Sequence, residues 1–121
     1  MKKKTNYKIG HFAEKIALIL LICKGYIPVA LNHITGRGTG ASEVDLIMKR
    51  GKTLVFVEVK KRQNIMTSAE AITQKVQHRI AKAAEIFVAQ HIQYKNYTIR
   101  FDAILFESAL WPHHIPNAWH L

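Results

Sequence analysis

Cysteine, acid and long apolar runs are what this chain has little of. The one cysteine, Cys23, has no partner for an internal disulfide, which removes the disulfide-stapled secreted class and points to a reducing compartment. Within an apolar run it reads as a small core hydrophobe. The longest such run, Ile16 to Cys23, stops at Lys24, far short of the roughly 20 residues that span a bilayer. A secretory leader is also a poor fit for Met1-Lys2-Lys3-Lys4 and this run, because a long polar stretch ending in Glu14 and Lys15 separates them. A cytoplasmic protein with no membrane partner is expected.

Acid is the third scarcity: 8 Asp and Glu stand against 18 Lys and Arg, a formal charge of +10. That balance predicts a polyanionic partner, and with 49% hydrophobic and 21% charged residues the chain of 121 residues is expected to fold as one domain. Residues 1–8 carry four lysines and read as a mobile basic arm.

Three of the few acids fall on one stretch, Ser42 to Arg62. Glu43-Val-Asp45-Leu-Ile-Met and Thr53-Leu-Val-Phe-Val-Glu58-Val-Lys60 are short, β-branched apolar runs around the polar Lys49-Arg50-Gly51-Lys52, the pattern of a β-hairpin. Glu58 and Lys60 then share a face with Leu54 and Phe56, about 6 to 7 Å apart along the strand, while Val55, Val57 and Val59 line the other. A strand apolar on both faces at its start and charged on one at its end delivers that charge from a core to a cleft edge. Buried acids demand compensation, and a divalent cation supplies it. Asp45, Glu58 and Lys60 together resemble the PD-(D/E)xK nuclease signature, in which Asp45, Glu58 and the carbonyl of Val59 would hold Mg²⁺ or Mn²⁺ and Lys60 would act on the attacking water. The same spacing also fits a surface ion pair at a strand end.

Elsewhere, Ile9 to Lys24 has helical spacing with Gly25 as a stop, and an apolar stripe of Phe12, Ile16, Ile19, Leu20 and Cys23 that Ala13, Ala17, Leu18 and Leu21 widen until the second half is apolar all round, as in a buried helix. Glu14 lies among Ala17, Leu18 and Leu21; an acid there suits the helix dipole as well as a site. Tyr26 to Leu31 reads as a strand, and the glycine-rich loop from Asn32 to Ser42 carries Arg37, a candidate phosphate contact. Lys61 and Arg62 open a polar connection beside the site. Thr67-Ser68-Ala69-Glu70 resembles a capping box opening a helix from Ser68 to His91, with Ala69, Ile72, Val76, Ile80, Ala83 and Phe87 as its buried stripe. Lys75, Arg79 and Lys82 border that stripe as a possible phosphate track. Tyr97 to Phe106 reads as the last strand, and Trp111, Ile115 and Trp119 are expected to dock on the body with most of the tail histidines exposed.

Gly10-His-Phe-Ala-Glu14-Lys-Ile-Ala17, Gly25-Tyr26, Asn32, Glu43-Val-Asp45-Leu-Ile47, Phe56-Val-Glu58-Val-Lys60-Lys-Arg62, Lys75 and Arg100-Phe-Asp102 occur in order. Together they resemble the YraN-like family of predicted endonucleases, distantly related to archaeal Holliday junction resolvases. The resemblance implies an α/β fold with a restriction-endonuclease-like core, a mixed β-sheet flanked by helices. It implies a Mg²⁺-dependent endonuclease, with Asp45 and Glu58 on the metal, Lys60 on water, and Glu14 brought into the site from the first helix as a further ligand; the substrate expected is DNA of branched or otherwise irregular structure. Paired cuts across a junction would call for a homodimer. The alternative is a nucleic-acid-binding or protein-interaction module that keeps the fold without turnover.

Overall fold

The computed structural model describes residues 2–34, 43–61, 72–108 and 111–119, with side chains from 12 to 106 and from 111 onward within those segments. Five strands form one sheet in the order β1-β2-β3-β4-β5: β1 Ile27–Ile34, β2 Glu43–Arg50, β3 Thr53–Lys61, β4 Thr98–Ser108 and β5 Trp111–Ile115. Helix α1, Lys2–Cys23, covers one face and helix α2, Gln74–Gln90, the other; a short 3-10 turn follows at Ile92–Tyr94. The sheet is mixed. β3 and β4 run parallel and the other neighbours antiparallel, and the parallel pair is joined by the crossover that carries α2, as parallel neighbours require.

The hairpin expectation holds. Arg50 pairs with Thr53 across a two-residue loop whose first residue, Gly51, has φ +60°, a backbone state glycine supplies at little cost and the twist of a tight hairpin favours. The face assignment holds as well. Leu54 and Phe56 pack with Val44, Ile47, Ala103 and Leu105 beneath α2 residues Ile80, Ala83, Ala84 and Phe87. Val55 and Val57 pack with Leu46, Met48, Ile104 and Phe106 against α1.

Helix α1 sits on the sheet through only part of the wide apolar surface expected of it, the side that carries its small residues. Ala13, Ala17 and Leu21 are buried, while Phe12 and Ile19 are more than half exposed and Cys23 is exposed too. The second half of this helix is apolar all round, so periodicity cannot choose its inner face. Two alanines one turn apart can, because they let the helix approach the strands closely. The helix starts at Lys2, so the residues read as a basic arm form its opening turns. It ends at Gly25, φ +93°, where Tyr26 N donates to Leu21 O and Gly25 N to Ile22 O, both at 3.0 Å. This is a Schellman closure with Leu21 and Tyr26 as its apolar contact.

The first strand runs three residues beyond its expected end, through Asn32. Helix α2 opens with Thr73, whose hydroxyl accepts from Val76 N; the box at residues 67–70 lies outside the described residues, as do Arg37 and Arg62. The tail supplies an unforeseen strand, β5. Trp119 docks as expected, stacked on Phe101 with ring centroids 5.4 Å apart, but Trp111 and Ile115 are exposed. The His114 side chain is only 3% exposed, against the expectation of solvated tail histidines. Among the described residues no helix is long and apolar enough to cross a membrane.

Candidate active site

The ladder between β2 and β3 ends at Leu46 and Val57, and the next residue on each strand is an acid. There Asp45 Oδ2 accepts a 2.8 Å hydrogen bond from Val59 N, so a side chain takes the place of a strand carbonyl where the strands part. Glu58 is buried and shares a hydrogen bond with Asp45. Lys60 Nζ lies 3.3 Å from Glu58 Oε2, so the two share a face as the i, i+2 spacing predicted, and they pair.

Two carboxyls in contact can share a hydrogen bond only if one holds a proton, and the surroundings favour that. Burial pushes Glu58 up to about 7, with the Asp45 charge adding to it and Lys60 opposing. Burial likewise pushes Asp45 up to about 6, against the stabilising Val59 N–H and with the charge of Glu14 adding. Glu14 reaches Asp45 by a hydrogen bond, and its own pKa is raised by burial and by the charges of Glu43 and Glu58. The first helix therefore contributes to the cluster.

Asn32 completes it. Turned so that its nitrogen faces the acids, its amide donates to Glu14 Oε1 at 2.8 Å and to Glu43 Oε1 at 3.0 Å. Glu14, Leu18, Leu31, Asn32 and Leu46 line a cavity of about 110 Å³ at this point.

The donors are all oxygens, which suits a hard cation. Among the described residues no three His, Cys, Asp or Glu side chains converge as an ion-holding group. The three-carboxylate ligand set of Glu14, Asp45 and Glu58 is thus not assembled as such. What is assembled is the Asp45 and Glu58 pair with Glu14 bonded to Asp45, and one or two carboxylates are the usual protein share of a Mg²⁺ site. The Val59 residue enters through its N–H.

The candidate DNA-contacting residues that are described lie on α2 and at the end of β3. Lys75 and Lys82 are exposed on α2 and Arg79 is half-buried, its Nε without a partner; Lys61 follows Lys60 at the end of β3.

A second polar cluster centres on Asp102, which is fully buried. Arg100 grips it with Nε to Oδ1 and Nη2 to Oδ2, both at 2.8 Å. His114 Nε2 lies 2.7 Å from Oδ2, and Asn117 N donates to Oδ1 at 2.9 Å. Burial alone would raise the Asp102 pKa, but His114, Arg100 and the Asn117 N–H hold it below its ordinary value. Arg100 also donates to the Tyr26 hydroxyl, and Lys24 Nζ lies 2.9 Å from His114 Nδ1. The network ties the end of α1 to β4 and β5.

The profile of the uncharacterised protein family UPF0102 matches residues 13–106, which span every element of the site. The chain belongs to the UPF0102 family. A UPF0102 protein of Methylorubrum extorquens is 36% identical over 120 residues, covering 99% of this chain and 91% of the relative. One of Mesorhizobium japonicum is 39% identical over 118 residues, covering 98% and 91%. The YraN-like resemblance seen in the sequence is to this family.

Sequence reasoning singled out four of this UPF0102 chain's clustered residues, Glu14, Asp45, Glu58 and Lys60, and missed the parts played by Asn32 and Glu43. Glu43 carried a signal, an acid two residues before Asp45. Asn32 carried only its chemistry, since asparagine tolerates left-handed backbone better than other non-glycine residues.

Proposed function

We propose that this UPF0102 protein is a divalent-cation-dependent endonuclease with a restriction-endonuclease-like core, hydrolysing phosphodiester bonds in DNA of branched or irregular structure. The observation that carries the proposal is the pairing of half-buried Asp45 with buried Glu58 at the parting of β2 and β3, with Lys60 beside it, in a chain of +10 charge. Two acids that share a proton when alone form a site short of positive charge, and the polyanion that such a basic surface attracts would meet it there.

Asp45, Glu58 and the Val59 carbonyl would hold Mg²⁺ or Mn²⁺. The chemistry such a cation supplies when bound is polarisation of the phosphodiester and easier deprotonation of water. Lys60 donates to the incoming water or to the developing negative charge, its ammonium held by Glu58. Glu14 fixes Asp45. Lys75, Arg79 and Lys82, with Lys61, Arg37 and Arg62, would neutralise the DNA backbone. Paired cuts across a junction need two such sites, hence a two-fold dimer on that substrate.

One observation favours a binding module without turnover: the acids spend their contacts on each other and no three of them converge among the described residues. Incubating the protein with Mg²⁺ or Mn²⁺ and linear, flapped and four-way DNA separates the readings. Nicking lost on chelation supports the nuclease; tight binding with no nick in any substrate supports the module.

A further inference from the structure

Asn32 sits in the left-handed region, φ +49°, inside β1, two residues before its end. It lies between Leu31, which pairs with Leu46, and His33, which pairs with Val44, and so stands across from Asp45. A non-glycine residue in this conformation inside a strand is uncommon and carries strain. Were the bend all that is needed, glycine would supply it without strain. What asparagine adds is an amide, and its two N–H groups go to Glu14 at 2.8 Å and Glu43 at 3.0 Å. Glu14 in turn reaches Asp45. The amide is a neutral donor among four acids, at a place where a lysine would discharge the cluster and a carboxylate would worsen it.

We infer that Asn32 is a positioning residue: it holds Glu14 against Asp45 from the edge strand, so that the acid pair is presented in one geometry to the cation and substrate. The inference rests on the nuclease reading for its purpose. Its physical content, a coupling between Asn32 and Glu14, does not.

The test is a double-mutant cycle of Asn32→Gly and Glu14→Gln in otherwise intact protein, read first by thermal midpoint without metal. Glycine keeps the left-handed backbone, and the cycle cancels whatever strain relief it brings. We expect midpoints that are non-additive by several degrees; additive shifts overturn the inference whether or not the protein cleaves DNA. The second readout is cleavage by Asn32→Gly, expected to fall about 10- to 100-fold in turnover with KM for DNA unchanged, as for other groups that orient a metal ligand. Turnover within twofold of the parent, despite a coupled cycle, would reduce Asn32 to a brace and overturn the positioning role. If the parent protein cleaves nothing, the nuclease reading falls by itself and Mn²⁺ affinity decides: a roughly tenfold or greater loss in Asn32→Gly upholds the inference, and equal or absent binding overturns it.

Discussion

Asp45 on β2 accepts a hydrogen bond from the backbone N–H of Val59 on β3, at 2.8 Å, one step past the last backbone pair, Leu46 and Val57. The bond satisfies a strand N–H that the parting ladder would otherwise orphan. It also pins one oxygen of Asp45 and leaves the other for its neighbours. Fold and site are therefore joined at one contact: the place where two central strands separate is the place where an acid must stand.

The acid pair should cost the metal-free protein stability as pH rises from about 4 to neutrality. Burial raises Glu58 to about 7 and Asp45 to about 6, above the ordinary carboxyl range near 4. A carboxyl raised on folding contributes stability that is complete below its unfolded pKa and is lost as pH climbs through the folded one. Urea unfolding in chelator should show the protein losing stability between about pH 4 and pH 7, on the order of 3 kcal/mol for either acid alone. The Glu58→Gln variant should flatten that fall. The comparison with the parent isolates the acids from His33, whose pKa is lowered by burial and by His91 and whose contribution is lost in the acid direction instead. Parallel pH profiles for parent and variant would show that the acids are not coupled to folding.

Glu14→Gln removes charge and keeps shape. If Glu14 fixes Asp45, the variant should bind DNA nearly as the parent does while cleavage falls about 10- to 100-fold. Its metal-free stability at pH 8 should rise, because one acid leaves a crowded cluster. An acid serving only the helix dipole would cost at most about 1 kcal/mol on removal and leave cleavage unchanged. Fluorescence anisotropy for binding and a nicking assay for turnover tell the two apart.

Replacing Lys75, Arg79 and Lys82 together with glutamine should weaken DNA binding for all sequences alike. Each lost phosphate contact lowers the slope of log K against log salt by about 0.9, so a drop of roughly 2 to 3 is expected in a titration from low to moderate salt. An unchanged slope would mark this row of α2 as an ordinary solvated face.

Asp102 is a structural acid. It accepts from Arg100, His114 and Asn117 while fully buried, and loss of its charge leaves Arg100 without its partner. Asp102→Ala should destabilise by about 3 to 5 kcal/mol in urea unfolding, the usual consequence of breaking a buried pair from one side. A change under about 1 kcal/mol would mean that the network is dispensable to the fold.

How much of this could be read from sequence differs from element to element. The β2–β3 hairpin was legible because turn chemistry and period-2 alternation agree at Gly51 and Val55 to Val59, and Glu58 and Lys60 fell out of the same alternation. The inner face of α1 was not legible, since apolar residues surround the helix and only packing distance selects Ala13 and Ala17. Strand β5 was hidden by Pro112 and the histidines, which read as loop; its edge position tolerates the proline. Asn32 lay beyond reach because its role depends on a left-handed φ inside a strand and on acids that the fold brings to it from α1 and β2.

The most direct test of the central claim is calorimetric titration of Mn²⁺ into the parent protein and into Asp45→Asn at pH 7, in buffers of different ionisation enthalpy. Saturable binding by the parent with release of protons is predicted, since a cation displaces the proton that Asp45 and Glu58 share, together with binding at least about tenfold weaker in Asp45→Asn. No saturable binding by the parent, or equal affinity in both proteins, would contradict it.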